Sequence, residues 1–218
     1  MSFYVDLQQA TQAEQAQLQA APIIRLALNG QVTREQYVAF LTQAYHHVKH
    51  TVPLLMACGA RLAGDQEWLR TDIAHYIEEE VGHPEWILND IRASGGNSEA
   101  VRYGAPSAET ELMVAYAYDT IARVNPVGFL GMVFVLEGTS TQLATQAAAK
   151  LQAALALPQQ AFTYLTSHGA LDLEHMHFYG NLVDRLESAV DRQCIIHCAK
   201  MFFRLYGDIF RSLQEFPA

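Results

Sequence analysis

The feature that most constrains this chain is the spacing of its apolar residues. They recur at three- and four-residue intervals almost from end to end, and no stretch of useful length alternates apolar with polar. A sheet needs that alternation on at least one face, so the sequence predicts an all-α fold with no strand. Turn and cap signals divide it into about seven helices. The first is expected over residues 8–20. Asn29-Gly30 turns the chain, and Thr33 with Gln36 forms a capping-box pattern that opens a second helix to about Leu62, bent near Pro53. A third is expected over 66–94, stopping at Gly95-Gly96-Asn97. A fourth, capped by Ser107, covers 108–123, and a fifth 127–155. A sixth covers 159–187 and a seventh 189–213. No repeat or linker divides them, so residues 1–218 are expected to form one compact helical bundle.

Composition narrows the partners. Half of the 218 residues are hydrophobic and 17% are charged, a low share that predicts extensive helix burial and a homodimer face. The net charge of −9 leaves no basic stripe for phosphate backbones, so nucleic acid is not expected. The N-terminal residues lack the basic and apolar regions of an export signal. The apolar run Val127 to Leu136 is about half the length of a bilayer span. A cytoplasmic location without membrane insertion is the expectation. Three cysteines, Cys58, Cys194 and Cys198, fit reduced thiols, the last two as small residues in a packed seam.

Three helices carry polar residues where a bundle should be apolar. Between Arg123 and Lys150 the only charged residue is Glu137, and its helical neighbours Leu130, Val133 and Ala144 project within about 40° of it. A carboxylate on a core stripe costs several kcal/mol unless it is paired, protonated or bound to a cation. The bland reading is a hydrogen bond to a nearby Arg or Tyr. On the sixth helix, His168, Asp172 and His175 fall on one narrow stripe with Tyr164 and Tyr179, while Glu174 and His177 point elsewhere. One such histidine is ordinary core, but two imidazoles and a carboxylate on one stripe suit iron, manganese or zinc. On the third helix, Glu80 and His83 are spaced Glu-x-x-His, the pairing that puts two ligands on one metal in di-iron bundles. Pro84 should kink or break the helix there, and that change of winding keeps Glu79 as an alternative to Glu80.

The combined set is Glu80, His83, Glu137, His168, Asp172 and His175. Three carboxylates and three imidazoles fit two metal ions better than one tetrahedral ion. The second helix adds His46, His47 and His50. No carboxylate lies near them in sequence and Lys49 competes, so a second metal site is not expected there.

The segments Glu80-Val81-Gly82-His83-Pro84-Glu85-Trp86, Leu136-Glu137-Gly138 and His168-x3-Asp172-x2-His175, with the chain length and helix order, resemble the haem-oxygenase-like diiron oxidases and oxygenases. The resemblance implies the fold of haem oxygenase, thiaminase II and the oxidase of pyrroloquinoline quinone synthesis. It further implies two Fe(II) ions, with Mn possible, held by the six residues, O2 as co-substrate and a small organic substrate. The alternative within the fold is a metal-free protein that binds a small heterocycle, like thiaminase II or the quinone-synthesis oxidase. Thiaminase II uses a pocket cysteine and haem oxygenase an axial histidine early in the chain with a glycine-rich distal helix, and this sequence matches neither pattern.

Overall fold

The computed structural model describes residues 2–213, apart from the side chains of residues 168–174. The described residues are mostly helical and contain no strand, as the apolar spacing predicts. They form eleven α-helices rather than seven. These are α1 Phe3–Gln19, α2 Pro22–Leu28, α3 Arg34–Val48, α4 Thr51–Arg61, α5 Glu67–Glu80, α6 His83–Ala93, α7 Ser98–Tyr103, α8 Ala108–Asp119, α9 Leu130–Leu155, α10 Thr163–Asp184 and α11 Ala189–Ser212. Two of the additional helices, α2 and α7, are a turn or two long, too short for periodicity to reveal. Two more arise because expected long helices are broken.

Both breaks place a proline in the first turn of the following helix, where its missing N–H has no intrahelical partner to lose. Pro53 is the third residue of α4, and the chain breaks before it at Lys49 and His50. Pro84 is the second residue of α6, and the break falls at Val81-Gly82, just ahead of the kink expected at the proline. Gly82 adopts φ +98°, a left-handed conformation that only glycine takes without strain. Glu80 therefore ends one helix and His83 begins the next.

The expected caps form. Thr33 Oγ1 accepts from Gln36 N at 3.2 Å while Gln36 Oε1 accepts from Thr33 N at 3.0 Å, and Ser107 Oγ accepts from Thr110 N.

The long helix α9 runs through the middle of the bundle against α10 and α11. Its contact with α11 is close enough to require glycine. A Cβ on Gly131 would stand 2.7 Å from Ala199 N and 3.0 Å from Cys198 Cβ. Cys194 and Cys198 lie in this seam with sulfurs 4.0 Å apart, as free thiols. The stretch Pro126–Leu155 is long and apolar enough to cross a membrane by those measures alone, but 67% of its most apolar part is buried within the fold, as in the core helix of a bundle.

Asp90 of α6 fixes the start of α10. It is fully buried, accepts a hydrogen bond from Tyr164 N at 2.8 Å, and takes a second from Thr163 Oγ1. This carboxylate caps a helix from a different element, and so ties α10 to α6. Replacing Asp90 with Ala leaves the Tyr164 amide without this partner. It should lower unfolding stability by about 2–4 kcal/mol, measured by chemical denaturation.

Candidate metal centre

Four buried ionisable side chains gather where α5, α6, α9 and α10 meet. Glu80, Glu137 and His175 are each buried and offer ligand atoms that all lie within 4.8 Å of one another. His83 joins them through Glu80, with Nδ1 2.9 Å from Glu80 Oε2 and both side chains almost fully covered. The His175 ring lies between carboxylates, Nε2 3.0 Å from Glu79 Oε2 and Nδ1 3.7 Å from Glu137 Oε1.

Each position has a local cause. Glu80 is the last residue of α5, so its side chain leaves the helix at the turn made by Gly82, and His83 faces it from the first turn of α6. Glu137 lies on the apolar stripe of α9. His175 projects from the facing stripe of α10.

Four of the six residues expected from sequence thus meet: Glu80, His83, Glu137 and His175. The Glu80–His83 pair forms across a break between two helices, not along one helix. The side chains of His168 and Asp172 lie outside the described residues. Glu79 is half exposed and touches His175 from the surface side, so both acidic residues of the pair approach the cluster.

Sequence reasoning missed Tyr76. It is fully buried, its ring lies edge-on to His175 at 5.9 Å, and no described group hydrogen-bonds to its hydroxyl. Burial, and then the negative charge of Glu137, keeps this phenol well above its usual pKa, so it stays a neutral hydroxyl. A signal for it existed, because Tyr76 precedes Glu80 by four residues and shares its helix face.

A cavity of about 70 Å³ opens beside the cluster, with Glu80, Glu137, Tyr76, His47, Tyr164 and Tyr206 in its wall. Phe129, Met132, Val133 and Leu136 close its apolar side. Of the three α3–α4 histidines, only His47 reaches this wall. His46 Nδ1 is 3.1 Å from Lys49 Nζ, and His50 Nδ1 is 3.1 Å from Tyr118 Oη. Cys58 is no nucleophile for the cavity, since it donates to Pro126 O and burial pushes its thiol up to about 12.

A model of the iron-containing redox enzymes matches residues 38–207, more than three quarters of the sequence. The chain belongs to this family. Its fold is the haem-oxygenase-like one. A domain of unknown function with that fold from Shewanella denitrificans is 24% identical, with a TM-score of 0.83, covering 95% of this chain and 90% of its own. A TenA homologue from Pseudomonas syringae is 9% identical, with a TM-score of 0.80 and coverage of 99% and 93%. Haem oxygenase-1 from the cyanobacterium Synechocystis, solved with haem, is 13% identical, with a TM-score of 0.77 and coverage of 98% and 93%. At these identities the likeness concerns fold. No curated protein matches the sequence.

The donor set fits the iron of the family's description. Carboxylate oxygens and imidazole nitrogens suit non-haem iron, and two buried carboxylates this close are stabilised by a cation between them. Tyr76, whose hydroxyl no described group satisfies, lines the same cavity.

Two stability effects follow. An unpaired buried hydroxyl costs about 1–3 kcal/mol, so Tyr76→Phe should leave the metal-free protein as stable as the parent or more so, as measured by denaturant midpoint. Burial and then Lys49 lower the His46 pKa to about 4. The unfolded chain takes up this proton near pH 6.5 and the folded chain only near pH 4. His46 therefore contributes stability that is complete above pH 6.5 and declines as pH falls from there to about 4. Denaturation midpoints across that interval should fall less steeply in His46→Gln than in the parent.

Proposed function

We propose that this chain is a non-haem diiron oxidase or oxygenase that uses O2 to oxidise a small organic substrate. The observation that carries this reading is the buried convergence of Glu80, Glu137 and His175, with His83 held on Glu80, at the wall of a cavity. Glu80, Glu137, His83 and His175 would hold iron, with Mn(II) as the alternative occupant. His168 and Asp172 complete the proposed set on the strength of their sequence spacing, and Glu79 adjoins it. Bound there, iron would supply the electrons and the open coordination positions that O2 chemistry requires.

The rest falls to the chain's own groups. Glu80 and Glu137 offset the charge of the cations in a region of low dielectric. The contact of Glu80 with His83 Nδ1 fixes the orientation of that ring, as carboxylates beside metal-site histidines commonly do. Tyr76 keeps its proton and offers it as a hydrogen bond to an oxygen atom in the cavity. His47 and Tyr206 line the same cavity as the carboxylates and would orient a polar substrate group. The apolar wall of Phe129, Met132 and Val133 limits water, which strengthens every electrostatic contact inside.

The test is anaerobic reconstitution with Fe(II), iron counting and measurement of O2 uptake. The parent should bind two irons per chain and consume O2. Glu137→Ala and His175→Ala should each weaken iron binding by about tenfold or more and suppress O2 uptake, whereas the exposed His177→Ala should match the parent. A parent that takes up no iron but binds a small heterocycle would favour the metal-free alternative. Two irons and parental O2 uptake in both ligand variants would overturn the site.

A further inference from the structure

The three cysteines are placed for different roles. Cys58 is fully buried and donates to Pro126 O. Cys194 and Cys198 stand one turn apart on α11 and hold their sulfurs side by side, 4.0 Å apart. Cys198 is covered and Cys194 is partly exposed, so the pair is reached from outside through one of its members.

The surroundings of this pair are polar for a helix seam. A Cβ on Gly128 would stand 2.9 Å from both sulfurs and from Thr120 Cγ2, so both thiols lie against a residue with no side chain to cover them. Thr120 Oγ1 is buried in the same seam and has no hydrogen-bond partner among the described groups. Tyr116 Oη donates to Cys198 Sγ across 3.6 Å. Thr120 opens a π-helical turn, Thr120–Val124, a winding frequent at functional sites. The hydrogen bond from Cys194, against the opposing effect of burial, brings the Cys198 thiol down to about 7.

The helix disfavours a disulfide here. On a helix, Cβ atoms four residues apart are separated by about 5–6 Å, whereas a disulfide needs about 3.5–4.5 Å. To close one, α11 would have to unwind where Gly131 packs on Cys198. A shared ion fits without that movement. With metal–sulfur bonds of about 2.3 Å, sulfurs 4.0 Å apart subtend about 120° at the metal. Among the described residues no third His, Cys, Asp or Glu donor joins the pair. The Asp191 carboxylate, one turn before Cys194, is taken by Asn125 Nδ2 at 2.7 Å and Gln66 Nε2 at 3.0 Å. Two thiolates without a hard donor suit a soft ion of low coordination number, Cu(I), better than tetrahedral Zn(II) or non-haem iron.

We propose that Cys194 and Cys198 form a Cu(I) site in the seam between α9 and α11. The ion enters past Cys194, and each thiol releases its proton to solvent as the ion binds. Gly131, which packs on Cys198, and Glu137 leave α9 about 120° apart around its axis, so this site and the Glu–His cluster occupy different faces of that helix. The site does not depend on the oxidase reading.

The experiment titrates the metal-free full chain anaerobically with Cu(I), in competition with the chromophoric chelator bicinchoninate. The parent should take one tightly held Cu(I) per chain, and copper X-ray absorption should show two sulfur neighbours. Cys194→Ser and Cys198→Ser should each lower the affinity by about a hundredfold, because a hydroxyl is a poor ligand for a soft ion. Cys58→Ala should compete like the parent. Circular dichroism confirms the fold of each variant. If Cys198→Ser does not fold, Cys194→Ser, at the partly exposed position, decides the question alone.

The proposal is overturned if the parent leaves the copper with the chelator, if the copper has no sulfur neighbour, or if a folded Cys194 or Cys198 variant competes as well as the parent. Zn(II) held by the same thiols more tightly than Cu(I) would equally overturn it. Iron enters no arm, so failure here leaves the iron-uptake result standing, and the reverse holds as well.

Discussion

Two carboxylates buried in an apolar bundle are the constraint around which this molecule is arranged. Glu80 and Glu137 come from different helices, are both covered, and lie within ligand distance of each other and of His175. Like charges in a poorly hydrated interior repel strongly, and hydrophobic packing does nothing to relieve it. The bundle instead surrounds them with imidazoles and a neutral phenol: His83 on Glu80, His175 beside Glu137, and Tyr76 edge-on to His175. Those partners are donors or metal ligands, and they give the interior a polar pocket that an ordinary helical core would not tolerate.

Holding the pocket together requires the helices to be fixed relative to one another, and the sequence provides this with few residues. Gly131 lets α9 approach the α11 backbone so closely that no larger side chain fits. Asp90 ties the first turn of α10 to α6. Gly82 turns the chain between α5 and α6, so that Glu80 and His83 face each other across a break. Each of these devices lies within a few residues of a member of the cluster, or on the same helix. The precision of the site therefore depends on helix seating more than on any one side-chain contact.

Much of this was legible beforehand. The all-α class followed from apolar spacing, because alternation is absent, and Glu137 stood out because nothing else charged occurs between Arg123 and Lys150. Helix number was less legible, since α2 and α7 are too short to register a period and the two breaks are set by prolines that tolerate a first-turn position. The Glu80–His83 spacing alone implies an i, i+3 pair along one helix. Its residues meet by a turn instead, because Gly82 brings the ring back toward the carboxylate. Tyr76 was passed over because a tyrosine on a core face looks like packing, and only its unpartnered hydroxyl distinguishes it. Of the second histidine group, sequence could not select His47, since which of three nearby imidazoles faces a cavity depends on the break at Lys49 and His50.

Glu79 shows how the interior connects with the surface. Its Oε2 is 3.0 Å from buried His175 Nε2, and its Oε1 is 3.5 Å from His75 Nε2, a ring that is half exposed. One partly exposed carboxylate therefore touches both a buried and a half-exposed imidazole. Its neighbour Glu80 turns inward to the cavity, so consecutive residues at the end of one helix serve opposite sides of the same cluster. The physical reason is the helix end itself. Within a regular helix adjacent side chains diverge by about 100°, and at the last turn, with the next residues departing through Gly82, both directions still meet protein on one side and water on the other. In the run Glu78-Glu79-Glu80 this geometry leaves Glu78 and Glu79 at the surface and turns Glu80 to the core.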